Sequence, residues 1–173
     1  MIGPGMVLCE IQKHSDITYR VFDFNRLQAD GTPRDLHIHQ ALEVLDFGKP
    51  RGGPIDPVRV QCGPLAKTYL VACRYFATEK WEFTAPVLAA TSSDQFEISI
   101  VLSGRGRIEW SGESAPYGPA EVWLLPAALG TYQLAPDSAT TLLRTYVPDL
   151  QGFAQQLAGE QIPAAARARL VHL

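Results

Sequence analysis

Residues Gln95–Ser114, QFEISIVLSGRGRIEWSGES, indicate the fold more strongly than any other part of the chain. Two runs rich in β-branched and aromatic residues, 95–102 and 107–110, are typical of short strands. The segments SGRG and SGES follow these runs and have the small residues and glycines of tight turns. The stretch therefore predicts a β-hairpin with Arg105 and Arg107 at its tip, most simply in solvent.

The same pattern continues on both sides of this hairpin. Further runs predict strands at 58–62, 68–76, 80–84, 121–125, 131–134 and 140–147. Eight or so short strands at this spacing predict an all-β sandwich or barrel over residues 58–148. The segments FAQQLAG and AAARARL then predict a short helical tail over 149–173.

The region before the barrel is less regular. Residues 6–13 and 17–22 predict two strands, which make up an N-terminal β-strand appendage over 1–24. Two strands cannot make a core alone, so they must pair with another element. Residues 25–57 form a connector rich in Gly and Pro, with one helix predicted over 36–47. Asp35 is the expected N-cap of that helix, and Gly48 and Pro50 are expected to end it.

Composition limits the function more than it defines it. The chain has 173 residues and a net charge of −3 without a run of like charges, so nothing favours nucleic acid. No apolar run is long enough to span a bilayer, and a signal peptide is not evident, which predicts a soluble cytoplasmic protein. The three cysteines, Cys9, Cys62 and Cys73, are expected to be free thiols, buried as small hydrophobic residues.

One motif could hold a metal. Residues 37–43, HIHQALE, have two imidazoles and a carboxylate at a spacing that first-row metals accept. The alternative is a pair of histidines in the first turn of the connector helix, where positions i and i+2 do not face each other. The apolar spacing of the following residues favours the helix. Three tryptophans could line a ligand-binding mouth, but core or rim packing is the more ordinary role of Trp81, Trp110 and Trp123.

Several segments resemble one family. Residues 9–26, CEIQKHSDITYRVFDFNR, and 30–47, DGTPRDLHIHQALEVLDF, resemble segments of type I mannose-6-phosphate isomerases. YFATEKWEF, EVWLLPAALGTYQL and TLLRTYVP also resemble that family, so the similarity extends over about residues 2–148. In the family two cupin barrels share one chain. The resemblance implies that this sequence holds the last strands of the first barrel over 1–24 and all of the second, a cupin-like β-barrel or jelly roll, over 58–148.

The resemblance also implies a site. Arg20 aligns with the family's catalytic arginine, which stabilises the enediolate formed between aldose and ketose phosphates, and Glu10 aligns with an active-site glutamate. The family's zinc ligands would precede Met1, so we expect neither a metal nor another cofactor in this chain, although the full-length family uses zinc.

Two functions remain open at this point. The chain is the C-terminal part of a mannose-6-phosphate isomerase, inactive alone but with a possible sugar-phosphate ligand, or it is a stand-alone cupin that acts as a binding or interaction module. In either case the unpaired strands at 6–22 predict a homodimer, because an open strand edge and its apolar face favour pairing with a second copy.

Overall fold

A computed structural model of the chain describes residues 4–12, 17–48 and 56–172. The chain divides into two compact units, residues 1–53 and 54–173. The second unit contains the barrel and the tail, and the first contains the predicted appendage and connector. None of the described helices is long and apolar enough to cross a membrane.

The described residues of the first unit form no strand appendage. Residues 6–12 and 17–22 have no regular secondary structure, so the two predicted strands are wrong over the described positions; Lys13 lies outside them. A strand requires a neighbour for its N–H and C=O groups, and among the described residues of this unit the only β-pairing is an isolated bridge between Leu27 and Pro33. Many apolar side chains of the segment are therefore exposed, with Val7 at 99%.

The connector helix α1, Ile38–Val44, is shorter than predicted. Its N-cap is His37 and not Asp35, and no side chain caps its first turn. The backbone of His37 is instead fixed by its N–H, which donates to the carbonyl of Arg20 at 2.7 Å. The helix ends at Val44 because Leu45 is already extended, which places the end before Gly48; Pro50 lies outside the described residues.

The second unit is a sandwich of two antiparallel sheets. Its first sheet has the order β1-β2-β3-β10-β5-β8, with β11 parallel to β2, and its second has the order β4-β9-β6-β7. The strands of the first sheet are β1 Val58–Cys62, β2 Leu65–Cys73, β3 Ala77–Phe83, β5 Glu97–Ser103, β8 Val122–Leu125, β10 Thr140–Tyr146 and β11 Val171–His172. Those of the second are β4 Val87–Ala90, β6 Gly106–Trp110, β7 Glu113–Tyr117 and β9 Thr131–Pro136.

All eight strands predicted in the barrel are confirmed, with small shifts at their ends. The strands that sequence reasoning missed are β4, β7 and β11. β4 is four residues long and half alanine, which has low β-propensity, and β7 contains Pro116, which is tolerated because β7 is an edge strand. Arg105 and Arg107 are exposed beside the β5–β6 turn, as predicted, but the predicted hairpin is wrong. β5 pairs with β10 and β8 in the first sheet and β6 pairs with β7 and β9 in the second, so the segment between β5 and β6 connects the two sheets.

Alternation along the strands puts one face of each sheet into the core. The core between the sheets contains Leu65, Trp81, Phe83, Val87, Val101, Ile108, Tyr117, Leu125, Tyr132, Leu134 and Leu142. Trp81 belongs to it, and Trp110 and Trp123 pack against it half-buried, so the core or rim role predicted for the tryptophans is confirmed.

The predicted helical tail is confirmed as α2, Leu150–Gly159, and α3, Ala164–Leu170. The Asp149 side chain caps α2 by accepting from the N–H groups of Gln151 and Gly152, both at 3.1 Å. Phe153 and Leu157 of α2 pack with Tyr69 and Ala72 of β2 in a second apolar cluster. The tail therefore covers part of the first sheet.

The cysteines are free, as predicted, but they are not buried. Cys9 and Cys62 are exposed and Cys73 is half-buried. Cys9 lies in a segment of the first unit without regular secondary structure, and Cys62 is the last residue of the edge strand β1, so neither position has a core to enter.

Candidate functional site

The inner face of the first sheet has an apolar half and a polar half. Leu142 lies opposite Trp81 and Val101 in the apolar half, whereas two residues further along β10 Arg144 lies opposite Glu79 and Ser99. This places two carboxylates and a guanidinium inside the barrel. We call Glu79, Glu97, Tyr132, Arg144 and Tyr146 the Arg144 cluster.

Arg144 and Glu97 form the centre of the cluster. The Nε of Arg144 donates to Oε2 of Glu97 at 2.8 Å, and its Nη2 donates to Oε1 of the same carboxylate. This bidentate geometry is the strongest that a guanidinium and a carboxylate form. Glu97 is 3% exposed and also accepts from the Tyr132 hydroxyl at 3.3 Å, so its oxygens are held from two sides.

Glu79 is the second buried carboxylate, with 1% of its surface exposed. Its Oε1 accepts from the Tyr146 hydroxyl at 2.6 Å and its Oε2 from the Trp81 indole N–H at 2.7 Å. The Nη1 of Arg144 lies 3.5 Å from Oε2. Arg144 also lies over the rings of Trp81 and Tyr146, at 5.0 and 4.6 Å from their centroids.

The titration of the cluster follows from these contacts. Burial opposes the charge of Arg144, but the hydrogen bond to Glu97 and the charges of both carboxylates outweigh it and raise the pKa of Arg144. Burial also raises the pKa of Tyr132 and of Tyr146, and the charges of Glu97 and Glu79 raise them further. At neutral pH the arginine therefore stays charged and both tyrosines stay protonated as hydrogen-bond donors.

The members of the cluster hold one another by hydrogen bonds and ion pairs, so a structural role fits the cluster better than a catalytic one. A general acid or base must exchange a proton near neutral pH, and a nucleophile needs an adjacent base, whereas here each carboxylate is bound to Arg144 and to a phenol. We expect the cluster to organise the interior of the barrel and the cavity beside it.

That cavity has a volume of about 520 Å³ and three walls. Glu97, Arg144 and Tyr146 of the sheet form the first wall, the loop around Thr91–Asp94 the second, and α2 with Asp149 and Phe153 the third. A cavity of this volume is within the usual range for small-molecule sites. Two buried carboxylates, Glu79 and Glu97, thus converge on Arg144 beside this cavity.

The sequence did contain a signal for the cluster. In β3 Glu79 has the same strand phase as Trp81 and Phe83, and in β10 Arg144 has the same phase as Leu142. A charged residue in the inward phase of a strand must find a partner, because an unpaired buried charge is too costly. Which strands provide that partner depends on the sheet order, which the sequence does not reveal.

The site residues predicted from the resemblance lie in the first unit. Arg20 is half-buried, and its Nη1 donates to the carbonyl of Asp35 at 2.9 Å while its Nε lies 3.8 Å from Asp23. Glu10 is exposed, and no hydrogen bond or ion pair to it is found among the described residues. The structure fixes Arg20, but within the described part of the chain no contact joins it to Glu10.

The HIHQALE segment gives no metal geometry. The Nδ1 of His37 accepts from the backbone N–H of Arg20 at 3.1 Å, so one of its two ring nitrogens is already bound, and His39 is the second residue of α1. Among residues 4–12, 17–48 and 56–172, no group of three or more His, Cys, Asp or Glu side chains is placed to hold a metal ion. In the barrel, Arg144 occupies the space between Glu79 and Glu97, so these residues do not fit zinc either.

Comparison with known proteins agrees with this fold. Residues 66–147 match the family model described as mannose-6-phosphate isomerase, cupin domain. The mannose-6-phosphate isomerase of Streptococcus mutans is 34% identical over 136 residues, and mannose-6-phosphate isomerase ManA of Bacillus subtilis is 33% identical over 139 residues. These matches cover 79% and 77% of this chain but 42% of each relative, so the chain spans about two fifths of their length.

A solved structure gives the same result. The crystal structure of the Bacillus subtilis mannose 6-phosphate isomerase aligns with a TM-score of 0.67 and 27% identity, over 76% of this chain and 40% of that one. The two-sheet barrel is thus a cupin domain. Within the cupins, the chain belongs to the mannose-6-phosphate isomerase family, as a C-terminal cupin part of it.

Proposed function

We propose that this chain is the C-terminal cupin part of an enzyme that interconverts mannose 6-phosphate and fructose 6-phosphate, and that it has no isomerase activity alone. The match of residues 66–147 to the family's cupin domain supports the first statement. The Arg144 cluster supports the second statement. Its carboxylates are held by Arg144 and by tyrosine hydroxyl groups, so the cluster has no group poised to move a proton.

Arg20 is the proposed catalytic residue of the complete enzyme, and Glu10 is proposed as a second residue of the same active site. The reaction develops negative charge on the substrate oxygens, and a fixed guanidinium stabilises such charge without losing its proton. The contacts of Arg20 support this role, because the Asp35 carbonyl and the Asp23 carboxylate hold its side chain while the backbone pairs with His37. The sugar phosphate would bind here rather than in the barrel cavity.

Zinc, when bound in the complete enzyme, would polarise the substrate oxygens as a Lewis acid. The described residues of this chain do not fit a zinc site, so its ligands would come from a part of the enzyme that this chain does not cover. We place the protein in the cytoplasm, which the free thiols at Cys9, Cys62 and Cys73 support.

Self-association belongs to the same proposal. Residues 6–12 and 17–22 form no strand in their unit and are rich in exposed apolar side chains such as Val7 and Phe22. A segment of this kind gains burial, and backbone hydrogen bonds where it pairs as a strand, by associating with a second chain. We therefore propose a homodimer whose interface includes residues 6–22.

A chimera tests the catalytic assignment. The chain replaces the matching 136 residues of the Streptococcus mutans enzyme, and isomerase activity is measured in a coupled assay. We expect Arg20→Ala to lower kcat by about 10²-fold or more, as loss of a charge-stabilising donor does. Arg26→Ala is the matched control, since Arg26 is an exposed arginine of the same unit. Equal activity of the two variants in an active chimera would remove Arg20 from the site.

A second function is favoured by the cavity itself. A stand-alone cupin that binds a small molecule needs a concave site with few and well-placed polar groups, and the cavity beside the Arg144 cluster provides one. This alternative predicts ligand binding by the 173-residue chain without any isomerase activity.

A further inference from the structure

The cavity in the barrel offers many hydrogen-bond acceptors and little free positive charge. Three carboxylates line it, those of Asp94, Glu97 and Asp149, and of the described lining residues Arg144 alone is cationic. Arg144 is already bound by Glu97 on one side and lies 3.5 Å from Glu79 on the other. Its guanidinium is therefore not available to pair with an anion.

The three carboxylates differ in what neutralises them. Glu97 has Arg144, and Asp149 has the first N–H groups of α2, where the positive end of the helix dipole lies. Asp94 accepts from the Ser92 hydroxyl, and no cation pairs with it among the described residues. A phosphate placed in this cavity would be repelled by at least one uncompensated carboxylate, and an ammonium would lie beside the Arg144 guanidinium.

We propose that the barrel cavity is a ligand site for a neutral polyhydroxylated molecule, of monosaccharide size, and that it excludes sugar phosphates. Hydroxyl groups donate to carboxylate oxygens without adding charge, and a hydrogen bond to an ionised acceptor is stronger than one between neutral groups. The Asp94 oxygens are the acceptors, and Phe153 of α2 supplies an apolar wall. All the residues of this site belong to the second unit, and the proposal does not depend on isomerase activity.

Titration of the ¹⁵N-labelled 173-residue chain followed by NMR tests the proposal. The probes are D-mannose and D-mannitol as neutral polyols, mannose 6-phosphate as the anion and D-glucosamine as the cation. We expect the neutral probes to shift amide resonances of residues 90–97 and 149–156 with millimolar affinity. Mannose 6-phosphate should shift the same resonances at least about tenfold more weakly.

Two variants examine the acceptor. Asp94 is exposed on a loop, so Asp94→Asn should leave the fold intact, and the loss of an ionised acceptor should weaken mannose binding by roughly three- to tenfold. Asp137→Asn is the matched control, because it removes an exposed carboxylate that does not line the cavity and should leave the affinity unchanged.

The proposal is overturned if the neutral probes leave residues 90–97 and 149–156 unshifted, or if mannose 6-phosphate or glucosamine binds there as tightly as mannose. It is also overturned if Asp94→Asn and Asp137→Asn have the same affinity as the unaltered chain. Isomerase activity does not enter these results, so the failure of this proposal and the failure of the Arg20 assignment are distinguishable.

Discussion

Replacing Arg144 with methionine should destabilise the barrel strongly. The substitution keeps a long apolar side chain but leaves Glu79 and Glu97 buried without a cationic partner. Breaking a buried ion pair from one side costs about 3–5 kcal/mol, since the remaining charge is uncompensated. Domains of this size have a free energy of unfolding of about 5–15 kcal/mol, so the variant should lose a large fraction of it.

Urea unfolding followed by tryptophan fluorescence measures this loss, because Trp81 is 4% exposed in the core and contacts Glu79. A loss of about 4 kcal/mol lowers the midpoint by roughly 2 M urea for an m-value near 2 kcal/mol per molar. Arg107→Met is the control. Arg107 is exposed and bonded to the Ser114 hydroxyl, so its replacement should cost less than about 1 kcal/mol.

A double-mutant cycle separates the ion pair from the lost side chain. Glu97→Gln combined with Arg144→Met removes the charge that the single arginine variant leaves unpaired, so the double variant should lose less free energy than the sum of the two single variants. We expect a coupling energy of about 1–3 kcal/mol. A loss below 1 kcal/mol for Arg144→Met, or additive single variants, would refute the reasoning about the cluster.

Three further predictions concern the tail, alkaline pH and assembly. Asp149→Ala removes the N-cap of α2 and should lower the free energy of unfolding by about 1 kcal/mol in urea, whereas no change would mean that water replaces the cap. Burial and the charge of Glu79 raise the pKa of Tyr146 above the ordinary value of about 10. The contribution of Tyr146 to the free energy of unfolding is therefore complete below pH 10 and is lost as the pH rises further. Stability should therefore fall above pH 10, with phenolate absorbance at 295 nm appearing together with unfolding; Tyr146→Phe should reduce this pH dependence, and equal dependence in both proteins would contradict it. Light scattering should show a dimer for the full chain and a monomer after deletion of residues 1–24, and a monomeric full chain or a dimer that survives the deletion would exclude the proposed interface.

The barrel was predictable from sequence because each strand has its own local pattern. Residues 95–110 show both strands and the turn between them, although the two strands pair in different sheets, and Asp149 before FAQQLAG is a cap followed by an amphipathic run. Residues 6–12 and 17–22 show the same β-like composition but form no strand. Composition makes a segment compatible with a sheet, whereas a strand also needs a partner, which local sequence does not specify.

The site was harder to predict for the same reason. Glu97 and Arg144 are 47 residues apart and meet only because β10 pairs with β5 in one register. Shifting that register by one residue would turn Arg144 to the opposite face. The family motifs pointed to Arg20 instead, and the structure shows that residue well held by Asp35 and Asp23. Long-range strand pairing thus forms the Arg144 cluster, and local sequence does not reveal that pairing. Short motifs, in contrast, are enough to indicate the family.

A coupled isomerase assay on the 173-residue chain alone, at high protein concentration and with added zinc, tests the central claim most directly. Our account predicts no interconversion of mannose 6-phosphate and fructose 6-phosphate above the rate in buffer. Turnover that is abolished by Arg20→Ala would contradict it, since this chain would then contain a complete active site.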